Sequence, residues 1–259
     1  MSAQFRVTTY NVHKCRGLDR KTSPQRIAKV LIEIDADIIA LQEILHLPES
    51  TKVTDHDQLN SIVVELNRHF ASVRQPYCIC FGENRRLKNG APYGNAVLTR
   101  MQVASCENYH LPQTRRERRG CLRVDLKLPQ RKEALHFFNV HLGTGPRERR
   151  VQAENLVSQA ILRHSTLKGP RMIVGDFNEW LPGLTTRLLK DELETVDLKR
   201  YVRRRKTYPG IFPLLHLDHI YYDRDLALRS FRVHRSRTAL VASDHLPLVA
   251  EFGTPALVD

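Results

Sequence analysis

The sequence predicts an α/β chain in which two stacked, mostly antiparallel sheets are flanked by helices, and three observations carry that expectation. Helical periodicity is confined to a few segments. Nine short runs rich in β-branched and aromatic residues lie between and around them. Several of those runs, from Tyr77 through His141, succeed one another without a helix, which a regular strand–helix alternation would not allow.

The first helix opens at Ser23-Pro24, a cap residue followed by proline at the first helical position. Its apolar residues Ile27, Val30, Leu31 and Ile34 fall on one helical face. Leu59, Ile62, Val63, Leu66 and Phe70 repeat the pattern. A third helix is expected from about Glu148 to His164, with Leu156, Val157, Ala160 and Ile161 inward, and a shorter one near Gly183 to Leu193. The strands are expected at Phe5–Val12, Asp37–Gln42, Tyr77–Phe81, Asn95–Thr99, Leu122–Leu128, Leu135–His141, Arg171–Val174, Leu217–Tyr222 and Leu248–Phe252.

No repeat, linker or low-complexity block divides the 259 residues, so one domain is expected over 1–259, with 41% hydrophobic residues to build its core. The formal net charge of +13 excludes an acidic disordered chain and points to an anionic partner. Cys15, Cys78, Cys80, Cys106 and Cys121 are scattered. Cys78 and Cys80 read as alternating strand positions rather than zinc ligands, and reduced thiols imply a reducing compartment. Without a visible signal peptide or an uninterrupted apolar run of about 18 residues, the expectation is a soluble, cytoplasmic monomer.

The chemistry is read from where polar residues fall relative to the strands. Asn11 and His13 close TYNVH, Glu43 closes IIALQE, His141 closes FFNVH, and Asp176 with Asn178 closes MIVGDFN. Asp218 lies inside LLHLDHIYY, and Asp244-His245 precede the last strand. A carboxylate or imidazole in an apolar strand is costly unless paired, protonated or metal-bound. A single case reads as a satisfied core residue or a solvated strand end. Six such strand ends describe one site if the strands share a sheet end. The oxygen donors Glu43, Asp176, Asp244, Asn11 and Asn178 suit Mg²⁺ or Mn²⁺. Two histidines and a further aspartate suit phosphate contact and proton handling, and together these point to phosphoester hydrolysis.

In order, TYNVH, LQE, GNAVLT, NVHLG, GDFNEW, LDHIYY and SDHLPL resemble the endonuclease/exonuclease/phosphatase superfamily over almost the whole chain, from Asn11 to His245. The compact bacterial members are the most similar. The resemblance implies a DNase I-like four-layer α/β sandwich. It also implies Glu43 as the primary metal ligand, supported by Asn11, with Asp244 at a second metal position. Asp176 and Asn178 would position or deprotonate the attacking water and hold the phosphate. His245 would contact the scissile phosphate with Asp218 orienting its ring, and His141 would be a second phosphate-contacting imidazole that helps protonate the leaving oxygen. His13, Asn95, Arg147, Arg149 and Arg150 are the expected substrate-binding residues.

Four basic clusters bear on the substrate: Arg115 to Arg119, Arg147 to Arg150, Lys199 to Lys206, and Arg229, Arg232, Arg235 and Arg237. Arginines beside a phosphodiester site fit a nucleic-acid backbone, and Tyr93, Tyr201 and Tyr208 are candidates to stack on bases. The leading expectation is therefore a Mg²⁺- or Mn²⁺-dependent DNA nuclease working from 3′ ends. Ile44-Leu45 stand where exonuclease III-type AP endonucleases carry Thr-Lys, which argues against abasic-site specificity. A phospholipid or phosphoinositide phosphodiesterase/phosphatase is the alternative. A binding module without catalysis is disfavoured by the intact carboxylates and histidines.

Overall fold

The computed structural model describes residues 4–47, 57–112, 117–129, 131–181, 183–195, 206–209 and 214–253. The helices begin where local chemistry starts them. In α1 (Pro24–Ile34) the Ser23 hydroxyl accepts the Arg26 N–H, and in α2 (Gln58–Phe70) the Asp57 carboxylate accepts the Asn60 N–H. The predicted apolar stripes of both are buried. The third helix, α3 (Pro146–Leu156), stops short of the expected His164. There the Ser158 hydroxyl accepts the Ala160 N–H and the chain tightens into turns, so Ala160 faces solvent instead of the core. Among the described residues two more helices follow, α4 (Leu184–Glu192) and the short α5 (Ala239–Ala242).

Among the described residues twelve strands form two six-stranded sheets. One holds β1 (Gln4–Asn11), β2 (Ile38–Leu45), β3 (Cys78–Arg86), β4 (Pro92–Thr99), β11 (Ala227–Val233) and β12 (Leu248–Gly253), in the order β11-β12-β1-β2-β4-β3. The other holds β5 (Val103–Leu111), β6 (Arg119–Lys127), β7 (Ala134–His141), β8 (Arg171–Asp176), β9 (Glu194–Thr195) and β10 (Asp218–Tyr222), in the order β5-β6-β7-β8-β10-β9. The predicted four-layer arrangement holds. Each sheet is mixed, with one parallel pair at its centre: β1 with β2, joined through α1, and β7 with β8, joined through α3. β5, β9 and β11 were not expected. All three lie at sheet edges, and ASCENYH in β5 and ALRSFRV in β11 are half-exposed polar runs without apolar alternation.

A buried polar network joins the sheets beneath one end. The Gln42 amide donates to Asn139 Oδ1 (2.7 Å) and Thr9 Oγ1 (3.0 Å), and the Asn139 amide donates to the carbonyls of Leu41 and Ala96. Asn95, expected to bind substrate, belongs to this layer: it is fully buried and its amide donates to the carbonyls of Gly120 and Asn139 across the junction. The structure therefore does not bring Asn95 to the site opening. Because polar groups in a dry layer are paired in one specific way, they fix how the two sheets meet.

Candidate active site

The carboxyl ends of the two parallel pairs come together at this same end. Asn11 ends β1, His141 ends β7 opposite Asp176 at the end of β8, and Asp218 opens β10 directly opposite Asp176. Asp244 and His245 lie two residues ahead of β12, which pairs antiparallel with β1. Glu43 reaches the end through an irregularity in β2, where the pairing with β4 shifts between Leu41 and Ile44 and Glu43 takes φ 60°. His13, Lys14, Cys15 and Asn178 also have positive φ, so five of the seven non-glycine residues of that kind among the described residues lie at or beside this end. Strain of this sort persists where surrounding structure imposes it, most often at functional sites.

The contacts divide the site into two halves that share Asp176. The Asn178 N–H and the Asn11 amide occupy its oxygens, at 2.9 Å on Oδ1 and 3.0 Å on Oδ2. The same Asn11 amide lies 3.4 Å from Glu43 Oε1, and its oxygen accepts the His13 N–H. The Asn178 amide is itself held by the Leu142 carbonyl. His141 Nε2 stands 3.6 Å from Asp176 Oδ2 and 3.8 Å from Glu43 Oε1, and His245 Nε2 stands 3.7 Å from Asp176 Oδ2. On the far side, His245 Nδ1 donates to Asp218 Oδ2 at 2.9 Å, and the same oxygen accepts the Thr207 hydroxyl at 2.6 Å.

The two imidazoles carry opposite protonation. Burial lowers the His245 pKa, but the carboxylates of Asp218 and Asp176 outweigh burial and raise it to about 10, so this ring is a cation. His141 is pushed well below the usual histidine value by burial and by the neighbouring charges of Arg119 and His245. Arg119 Nη1 sits 3.0 Å from His141 Nδ1, and a guanidinium only donates. His141 Nδ1 is therefore the acceptor, and its single proton is on Nε2, facing the carboxylates. Burial and the charge of Asp218 raise the Asp176 carboxyl, against His245 and Asn11, to about 6.

Asp176, Asp218 and His245 have ligand atoms within 4.8 Å of one another. As arranged, they form a proton-holding trio, because both nitrogens of a cationic imidazole carry protons and none is left to bind a metal. The donor set on the other half fits a hard cation better. Glu43 Oε1 and Asp176 Oδ2 converge on one amide group, and Glu43 is half-buried with access to solvent. Asp244 lies at the rim instead, where its Oδ2 pairs with His13 Nδ1 at 3.2 Å. That contact, foremost, raises the His13 pKa.

Arg147 and Arg150 are exposed on the first turns of α3, Arg150 pairing with Glu154, while Arg149 donates to the carbonyls of Gly143 and Thr144. Tyr93, a candidate base stacker, is 2% exposed. Its hydroxyl faces the Glu43 carboxylate, and its ring lies 4.9 Å from the Arg85 guanidinium carbon. Tyr208 is half-buried, with its ring centre 5.0 Å from that of His245. Residues 115, 116, 130 and 199–205 lie outside the described residues, so two of the basic clusters are only partly placed. Sequence reasoning overlooked Arg119, Thr207 and Ser243. The Ser243 hydroxyl donates to the Asn11 carbonyl, holding the SDH segment against β1. Only the SDHLPL motif hinted at Ser243.

A model of the endonuclease/exonuclease/phosphatase family matches residues 8–245. The chain belongs to this family. Its members are metal-dependent phosphoester hydrolases. Among curated proteins, this family member is 28% identical over 250 residues to the uncharacterized protein YbhP of Escherichia coli (strain K12), covering 96% of each chain. The fold is that of an endonuclease/exonuclease/phosphatase family protein from Leptotrichia buccalis (TM-score 0.74, 17% identity, 96% of this chain and 99% of that one). It is also that of the mannosyl-6-phosphatase Bt3783 from Bacteroides thetaiotaomicron (TM-score 0.69, 20% identity, 96% and 99%). Among the described residues, no helix is long and apolar enough to cross a membrane.

Proposed function

We propose that the protein is a divalent-metal-dependent phosphodiesterase that hydrolyses the DNA backbone from 3′ ends, working as a cytoplasmic monomer. The observation that carries the reading is the convergence of a neutral His141 N–H and a cationic His245 N–H on the Asp176 oxygen, at 3.6 and 3.7 Å. Those separations are too long for direct hydrogen bonds, so both donors remain available to the oxygens of a phosphoryl group. Asp176, with one oxygen held by the Asn178 N–H, orients the attacking water and takes its proton through the other. His245, held by Asp218, opposes the charge that develops on the phosphoryl oxygens and has a proton to give. His141 is neutral, so it serves as a hydrogen-bond donor; the expected role in protonating the leaving oxygen passes to His245. Glu43 would hold Mg²⁺ or Mn²⁺, its carboxylate steadied by the Asn11 amide N–H, which supports the ligand without being one, and Asp244 lies nearby at the rim. When bound, the cation would neutralise charge on the phosphoryl oxygens and make water easier to deprotonate.

The choice of DNA rests on the +13 net charge and on Arg147 and Arg149, which follow His141 into α3. One observation favours phospholipid as the second reading: Trp180 and Leu181, just after Asn178, are 62% and 80% exposed, an apolar pair suited to a lipid interface. The deciding experiment is a time course on 5′-labelled duplex DNA with Mg²⁺, resolved on a denaturing gel. Progressive shortening from the 3′ end supports the reading, and its loss on chelation supports the metal. Scattered fragments from the outset would replace exonuclease by endonuclease action. Intact DNA, with phosphatidylglycerol vesicles cleaved under the same conditions, would replace DNA by lipid.

A further inference from the structure

A groove of about 720 Å³ lies against the outer wall of the site, lined by Arg85, Arg86, His110 and Arg118 together with Glu83 and Glu117. Its inner wall belongs to the catalytic centre. Glu117 ion-pairs with Arg85 and with Arg119, and Arg119 in turn donates to His141. Arg85 covers the ring of Tyr93, whose hydroxyl faces the Glu43 carboxylate. The groove and the carboxylate that would hold the metal are thus separated by one layer of side chains.

The charges there are unbalanced. Arg86 is satisfied by Glu83 and the Gly90 carbonyl. Arg85 and Arg119 share a single carboxylate, that of Glu117, and Arg118 makes no ion pair among the described residues. The Nε atoms of Arg85 and Arg119 are buried without a hydrogen-bond partner. Buried polar groups normally find partners, so the unpaired Nε of Arg85 in the groove wall, beside the exposed and unpaired Arg118 guanidinium, describes a place prepared for an anion. Planar guanidinium forks match phosphate geometry in particular.

We infer that this groove is a second phosphate subsite, in which Arg118 and Arg85 bind a phosphate adjoining the scissile one, so that the preferred substrates carry at least two phosphates. The inference rests on the phosphoester-hydrolase reading above. A substrate phosphate entering the groove meets Arg118 at the surface and then Arg85, while Glu117 keeps Arg119 on His141. Binding there fixes the neighbouring phosphoester against Asp176 and His245, so the gain falls on KM.

The test compares paired substrates with and without the second phosphate: the dinucleotide pTpT against TpT, and fructose 1,6-bisphosphate against fructose 6-phosphate. The wild type is expected to show a KM roughly tenfold lower for the doubly phosphorylated member of at least one pair, the size of one or two charge-assisted hydrogen bonds. The pair that shows the gain tells whether the second phosphate comes from nucleic acid or from a small molecule. Arg118→Gln, at an exposed position, should bring that KM ratio close to one, and Arg118→Lys should recover part of it. Hydrolysis of both members with equal KM would overturn the subsite and leave the hydrolase reading standing. An unchanged ratio in Arg118→Gln would overturn it as well. Failure to cleave any of these substrates or bis(p-nitrophenyl) phosphate with Mg²⁺ or Mn²⁺ would overturn the hydrolase reading first, and the subsite with it.

Discussion

Gly175 and Gly90 both have positive φ, +142° and +82°, yet the structure predicts very different costs for a methyl group at each. Gly175 lies in the GDFN segment and pairs with Val140 in the parallel contact between β7 and β8. A Cβ there would sit 1.9 Å from the Val140 carbonyl oxygen and 2.9 Å from its carbon, both backbone atoms that no side-chain rotation moves aside. At Gly90, in the turn between β3 and β4, the same Cβ would meet nothing within 4 Å. Gly90→Ala therefore costs only the strain of a left-handed residue, about 1–2 kcal/mol. Gly175→Ala adds the separation of two paired strands, about 1–3 kcal/mol more by analogy with overpacked cores, for roughly 2–5 kcal/mol in all. For a chain of this size each kcal/mol lowers Tm by about 2–4 °C, so Gly175→Ala should melt on the order of 10 °C lower and Gly90→Ala only a few degrees lower. Because β7 and β8 end in His141 and Asp176, kcat should fall with Gly175→Ala and hold with Gly90→Ala. Thermal melts of both variants beside the wild type decide the matter. Equal losses would mean that backbone conformation alone accounts for the glycine, and that the close approach of the strands does not.

Other perturbations separate roles within the site and beneath it. Arg119→Met should lower kcat by about 10–100-fold, the usual effect of removing a group that orients a reacting side chain, whereas Arg119→Lys can still donate and should lose less. Identical losses in steady-state assays would reduce Arg119 to bulk. Asn95→Ala should cost about 1–3 kcal/mol in urea unfolding while leaving KM unchanged, since its amide serves carbonyls between the sheets. A raised KM with unaltered stability would restore it as a substrate ligand. The fourth concerns pH. Burial raises the Asp125 carboxyl, but hydrogen bonds from His136, Arg123 and Ser105 outweigh it and hold the group well below the usual carboxylate range. A depressed carboxyl contributes stability that is complete above the unfolded value near 4 and is lost as pH falls toward the folded one. Asp125→Asn should accordingly cost about 2–4 kcal/mol at pH 7, with the gap to wild type narrowing below about pH 4. A gap independent of pH between 3 and 7 would refute the pairing as its source.

Much of this was legible in the sequence because the strands that build the site are central and apolar, so a polar residue at the end of one stands out. Glu43, His141, Asp176, Asp218 and His245 each interrupt or close a hydrophobic run, and the structure gathers all five at the ends of the two parallel pairs. What stayed hidden depends on contacts between the halves of the chain. Asn95 looks like a site residue in its polar GNAVLT motif, and only the packing of one sheet on the other shows that its amide is consumed by the carbonyls of Gly120 and Asn139. Arg119 reads as one more arginine in a charged run, although its position opposite the end of β7 makes it the partner of His141. The protonation of the two histidines follows the same logic. Both close apolar segments, and both are buried. The carboxylates of Asp218 and Asp176 overcome burial and make His245 a cation, whereas burial, reinforced by the guanidinium of Arg119, keeps His141 neutral. Their different tasks are set by partners from β6, β8 and β10 rather than by their own sequence surroundings, so the division of labour in the site is a property of the sheets' packing.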